Sequence, residues 1–254
     1  MSVWKALARG VWLESLRRKD LWVVAILGLL ILIAAGALGI FGVSGLGIFL
    51  KDLAAGVLSV ASTIVAVMIS TRLLPDEIRQ RTLYPLLARP VSRLDLLLGK
   101  LLGAIAVSWF SFLMLALLTG VALLMFRVPF ELVMLQYLFV KMMGLAMVCA
   151  LGLTLSTFMT PAAAATLTMI LAFASAMISR ALYMAGSGQP SMTWLYKIVN
   201  GVVPQVHLFD LGALATYSWP PLSTAVVSIL FAYGLVYSAG LMSLAWLKFR
   251  REAI

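Results

Sequence analysis

The chain predicts an all-α polytopic membrane protein: six transmembrane helices, an N-terminal amphipathic interfacial helix, a cytoplasmic helix between spans 2 and 3, and an outer re-entrant loop between spans 5 and 6. Three observations carry this. Of the 254 residues, 63% are apolar and 11% charged, against about 45–50% and about 25% in a soluble domain. The apolar residues, with mean hydropathy +1.09, fall into several runs of the roughly 20 residues that one crossing of the hydrocarbon core requires. The charges sit in the breaks between those runs.

The elements follow in order. Residues 1–20 mix five cations with Trp4, Leu7 and Val11 at helical spacing, which suits an amphipathic helix in the interface. The run 21–43 is too long for a signal-peptide core and ends without a cleavage site, so it reads as a retained span. Further spans are expected at 53–74, 96–126, 132–158, 162–185 and 222–247, separated by a polar loop at 75–95 and an outer loop at 186–221. The whole of 1–254 therefore reads as a single transmembrane domain.

Orientation comes from the cations. Lys5, Arg9, Arg17, Arg18 and Lys19 precede span 1. Arg72, Arg79, Arg81, Arg89, Arg93 and Lys100 cluster around the break after span 2, and Lys248, Arg250 and Arg251 follow span 6. The opposite side receives only Lys51, Arg127, Arg180 and Lys197, with Lys141 left inside span 4. The positive-inside rule places both termini in the cytoplasm of a multi-pass protein. The net charge of +10 is thus an orientation charge, with no nucleic-acid partner implied. A single Cys149 and a single His207 exclude thiolate clusters and histidine-rich metal centres.

The 75–95 loop is the most specific stretch. Pro75, Asp76 and Glu77 suit a helix start, with carboxylates at the positive end of the dipole. Ile78, Thr82, Leu83, Leu86 and Leu87 then form an apolar stripe, with Arg79, Arg81 and Arg89 largely off it. Pro85 is expected to kink or split the helix and Pro90 to end it. By itself this suits a helix resting on lipid headgroups. The residue order moves the reading: Glu77, Thr82-Leu83, Leu86-Leu87, Pro90-Val91-Ser92-Arg93 and Gly99-Lys100 resemble the signature loop of type-2 ABC exporter permeases, including small six-span permeases such as the one used in nitrous oxide reductase maturation. Arg81 departs from the glycine that relatives often place before the Thr-Leu pair.

The resemblance implies a permease subunit of an ATP-driven ABC exporter located in a bacterial or archaeal cytoplasmic membrane. It makes the loop a coupling helix that docks a soluble ABC ATPase subunit through Glu77, Ile78, Arg79, Arg81, Thr82, Leu83, Leu86, Leu87, Arg89, Pro90 and Arg93. A second permease copy or a paralogue completes the machine, with membrane lipid around it. No Walker A loop is present, since Gly99-Lys100 is followed by Leu101 and preceded at the required distance by Leu94. The chain is therefore expected to be no enzyme and to carry no cofactor; ATP and Mg belong to the partner subunit.

Candidate pathway or dimer-interface residues come from faces of small and hydroxylated side chains. Span 2 offers Ala55, Ser59, Ser62, Ala66 and Ser70, and span 5 offers Thr166, Thr168, Ala172, Ser175 and Ser179. Such faces serve close helix packing within one chain as readily as a transport route. Lys141 is costly in a bilayer unless it reaches water, a carboxylate or the interface; Glu131 lies too far along the same helix to pair with it. His207 and Asp210 are spaced to meet across one helical turn, and the aromatic outer loop suits interfacial helices and a gate. Met169, Met177 and Met184 read as apolar filler.

Two other classes compete. Gly42-Val43-Ser44-Gly45 resembles the serine motif of rhomboid intramembrane proteases, but Ser44 and His207 are not placed for a buried dyad. A motor-independent scaffold or secondary carrier is the other; carriers couple through intramembrane carboxylates, and no Asp or Glu occurs well inside a predicted span.

Overall fold

A computed structural model describes residues 8–13, 26, 46–79, 92–129, 131–187, 194, 198 and 201–251. The described residues are helical or loop, with no strand among them. Among the described residues, five helices are long and apolar enough to cross a membrane: α1 (Leu46–Arg79), α2 (Arg93–Met125), α3 (Leu132–Phe158), α4 (Pro161–Ser187) and α6 (Thr224–Arg251). Between α4 and α6 lie a 3-10 turn (Val206–Phe209) and the short α5 (Gly212–Thr216). The predicted span 21–43, including all but Ile26, lies outside the described residues, as does Ser44.

Helix is the form these runs take because lipid offers no hydrogen bonds and each backbone group must be satisfied within its own segment. The ends follow local chemistry. Ser92 caps α2, accepting the Asp95 N–H at 3.1 Å and donating to its carboxylate at 2.6 Å. This starts the helix at Arg93, ahead of the expected 96. Its C-terminus closes in a Schellman motif: Val128 N–H reaches the Leu123 carbonyl at 2.9 Å and Arg127 N–H reaches that of Leu124 at 3.0 Å. Arg127 holds the left-handed position with φ 54°. Pro161 occupies the first turn of α4, where its missing N–H costs nothing.

Pro75 differs from expectation. It lies inside α1 and does not begin a new helix. Proline loses its own bond to the carbonyl four residues back and crowds that carbonyl, yet the following Asp-Glu-Ile-Arg continues the helix as far as Arg79.

α3 is the central helix, packed against α1, α2, α4 and α6. Glycines let backbones and side chains approach it. A Cβ at Gly144 would stand 2.6 Å from Phe209 Cβ, and one at Gly152 would collide with Ser70 of α1. Trp109 of α2 donates to the Met142 carbonyl at 2.7 Å, and Thr154 donates to the Leu241 carbonyl of α6 at 3.1 Å. The outward faces of α4 and α6 are apolar and exposed, with Ile170, Phe173, Met177, Ile229, Leu235 and Val236 among them. The described part of the expected interfacial helix, residues 8–13, is helical and lies alongside the shaft of α2: Val11 fills the notch at Gly103, and Trp12 meets the Phe110 ring edge-on at 4.8 Å.

Candidate functional site

The starts of α1, α3 and α6 and the ends of α2 and α4 gather at one end of the bundle, together with the 3-10 turn and α5. We call this the loop-bearing end. Here the segment 206–216 is sunk among α1, α3 and α4, with Val206, Phe209, Leu211 and Ala215 buried. Phe209 sits on the bare backbone of Gly144, stacks on Tyr233 at 6.2 Å between ring centres and closes on Gly234. The side chain of Gln136 grips the approach to α6 twice, accepting the Leu222 N–H at 2.9 Å and donating to its carbonyl at 3.0 Å.

Two charged clusters hold this segment, and each draws one group from α1, one from α3 and one from the loop. In the first, Lys51 of α1 donates to Glu131, the N-cap residue of α3, at 2.8 Å and to Ser218 at 2.9 Å; Ser218 in turn donates to Glu131 at 2.7 Å. Ser218 reaches this position through a left-handed backbone, φ 53°. Hydrogen bonds from Lys51 and then Ser218 hold the Glu131 carboxyl below its ordinary value, against a smaller opposing effect of burial.

The second cluster lies deeper. Lys141 of α3, about 13 Å below the start of its helix at 1.5 Å per residue, donates to Ser59 of α1 at 2.6 Å and to the Asp210 carboxylate at 3.1 Å. Ser59 also donates to that carboxylate, whose second oxygen accepts the Gly212 N–H at 3.1 Å. The Lys141 side chain is 6% exposed and that of Asp210 35%. A buried ammonium is thus matched by a carboxylate and a hydroxyl oxygen, the condition under which such a charge is tolerated.

This changes the expectation for His207 and Asp210. The turn between them is a 3-10 helix, closed by Asp210 N–H on the His207 carbonyl at 3.1 Å, and the Asp210 carboxylate turns to Lys141. The stronger partner is the unneutralised cation. Burial, and then the nearby charge of Arg180, push the His207 imidazole below its ordinary value.

The other predicted residues are placed as follows. Ser62, Ala66 and Ser70 are fully buried within the chain, with Ser62 donating to the Leu58 carbonyl at 2.5 Å. On α4, Ala172 and Ser175 face the bundle while Thr166 is exposed. Ser175 accepts the His207 N–H at 3.1 Å and so seats the 3-10 turn. Ser179 Oγ is buried with no hydrogen-bond partner.

At the opposite end, Glu77, Ile78 and Arg79 form the last turn of α1. Arg81, Thr82, Leu83, Leu86, Leu87, Arg89 and Pro90 lie outside the described residues. Arg93 opens α2 and donates to the Phe249 carbonyl at 2.7 Å, with its guanidinium 5.8 Å from the centre of that ring. It therefore ties the start of α2 to the end of α6, where a cation also favours the helix dipole.

Missed in the sequence were the Lys141–Asp210 and Lys51–Glu131 pairings. A signal for the first existed: Lys141 is the lone ionised residue between Glu131 and Arg180, and Asp210 the lone one between Lys197 and Lys248. Two isolated opposite charges in apolar surroundings are candidates for each other.

Helices of spanning length, a sunken loop and lysine–carboxylate clusters within the bundle define a multi-pass membrane protein. A family model described as ABC-2 family transporter protein matches residues 5–239, and the chain belongs to that family. It is thus a type-2 ABC permease, the membrane component of an ABC transporter, whose partner is an ABC ATPase subunit. Comparison with curated proteins yields no match.

Proposed function

We propose that the chain is the permease subunit of an ATP-driven exporter, that two permease copies, or this one and a paralogue, form the pathway, and that a separate ATPase docks on the Glu77–Arg93 segment and drives alternating access. The loop-bearing end then faces outward, a reading the distribution of cations supports, and the 206–216 segment is the outer gate.

One observation carries the coupling. α1 is a single helix of 34 residues, about 50 Å long, with Glu77, Ile78 and Arg79 in its last turn and Lys51 and Ser59, the anchors of both charged clusters, near its first turns. A push on the docking end therefore displaces Ser59 and Lys51 as parts of one rod. The clusters are made in one position of α1 and broken or rebuilt in another, which is the differential contact that a two-state switch needs. Substrate passes when the gate segment leaves α1 and α3.

The test is co-purification of the chain with its ATPase, followed by assay of ATP hydrolysis. Glu77→Arg and deletion of residues 78–87 are expected to abolish capture of the ATPase. Lys141→Met is expected to preserve capture and to uncouple hydrolysis from export. Unchanged capture in the deletion variant refutes the docking assignment; unchanged export and unchanged ATPase stimulation in Lys141→Met refute the gate.

A further inference from the structure

A cavity of about 260 Å³ opens beside the last turns of α4, lined by Ala176, Ser179, Arg180, Tyr183, Met184 and His207. It lies outside both charged clusters. Two of its polar atoms, Ser179 Oγ and His207 Nδ1, are buried and without a hydrogen-bond partner, whereas buried polar atoms in native structures are nearly always paired. The neighbouring groups are fully used: one turn earlier Ser175 accepts the His207 N–H and donates to the Ala172 carbonyl. The backbone is thus pinned while two residues of the cavity lining keep an unpaired polar atom each.

The chemistry of the lining indicates which partner. Arg180 is exposed at the mouth and has no carboxylate partner among the described residues. No Asp or Glu is among the described residues that line the cavity, so they offer a cation no carboxylate. Arg, Ser O–H and His N–H are all donors toward an anion, and a guanidinium pairs with phosphate oxygens two at a time. The rim is amphipathic: Tyr183 is 62% and Met184 74% exposed, and Met177, also 74% exposed, continues the apolar face down α4.

We propose that this cavity binds a phosphate group, that of an anionic phospholipid in the leaflet at the loop-bearing end, with Arg180 and Ser179 holding the phosphate, His207 Nδ1 donating to it, and the acyl chains lying along the apolar face of α4. The site needs only a chain embedded in a bilayer, so its occupancy is measured without motor or transport, although His207 also belongs to the segment proposed as the gate. Because His207 belongs to the 3-10 turn and Arg180 to α4, a bound phosphate bridges the loop to the helix.

The full-length protein in detergent, supplemented with phosphatidylglycerol, phosphatidylcholine or inorganic phosphate, is examined by native mass spectrometry and thermal unfolding. Wild type is expected to retain phosphatidylglycerol at least tenfold better than phosphatidylcholine and to gain thermal stability from it. Arg180→Gln is expected to lose at least tenfold in retention, and Ser179→Ala and His207→Asn a few-fold each, while Arg127→Gln, a cation of the same end outside the cavity, changes nothing. Stabilisation by inorganic phosphate but not by the lipid keeps the phosphate site and replaces its lipid source with free phosphate. Equal lipid retention in wild type and Arg180→Gln, with no response to phosphate, overturns the proposal.

Discussion

Removing one member of the Lys141–Asp210 pair should not cost the same as removing the other. In Asp210→Asn the ammonium of Lys141, 6% exposed, stays buried with Ser59 and an amide oxygen but no counter-charge. Stripping a buried charge of its partner costs about 3–5 kcal/mol. The Asp210 side chain is 35% exposed, so water softens the loss, and about 2–3 kcal/mol is the working figure. In Lys141→Met the buried charge itself is gone, and Asp210 keeps its bonds to Ser59 and Gly212 and its access to water; about 1 kcal/mol is expected. At about 2–4 °C per kcal/mol for a chain approaching this size, Asp210→Asn lowers the melting temperature by about 4–12 °C and Lys141→Met by about 2–4 °C. The double variant should resemble Lys141→Met, because the neutral amide no longer faces a stranded cation, giving a coupling of about 2–3 kcal/mol. Thermal unfolding of the four proteins in one detergent measures this. Additive losses, or a larger loss for Lys141→Met than for Asp210→Asn, would show that the pair is not the buried ion pair described above.

The gate seat and the upper cluster yield two more tests. Gly144→Val places a branched side chain where even a Cβ would stand 2.6 Å from Phe209 Cβ; it should cost about 1–3 kcal/mol by overpacking, seen as a lower melting temperature, and Phe209→Ala combined with it should recover part of the loss. The Glu131 carboxyl is held below its ordinary value by Lys51 and Ser218, so its contribution to stability is complete above the ordinary carboxylate range and is lost as pH falls through the lower folded-state value. Melting curves of wild type and Glu131→Gln should converge below that window and separate above it; parallel curves throughout would remove Glu131 from the account.

Much of the architecture was legible because lipid imposes a simple rule. A run of some 20 apolar residues must become a helix, so Leu132–Phe158 is visible in the sequence as a span without knowledge of its neighbours. Helix ends were less visible. Whether Pro75 begins a helix or is carried within one depends on the balance between one lost hydrogen bond and the favourable residues around it. The start of α2 turned on a three-residue cap at Ser92 that hydropathy does not register.

The sequence by itself determined that this chain is a multi-pass membrane protein, and the order of residues from Glu77 to Arg93 pointed to its family. Tertiary structure alone decided which charges meet. Lys141 and Asp210 are separated by 69 positions and Lys51 and Glu131 by 80, and no periodicity links them. Their pairing exists because Phe209 fits the notch at Gly144 and α1 crosses α3 at Gly152, bringing an isolated cation and an isolated carboxylate within reach. The physical reason is one of range: hydropathy acts residue by residue along the chain, whereas charge neutralisation in a low-dielectric bundle is settled only after the helices have chosen their neighbours.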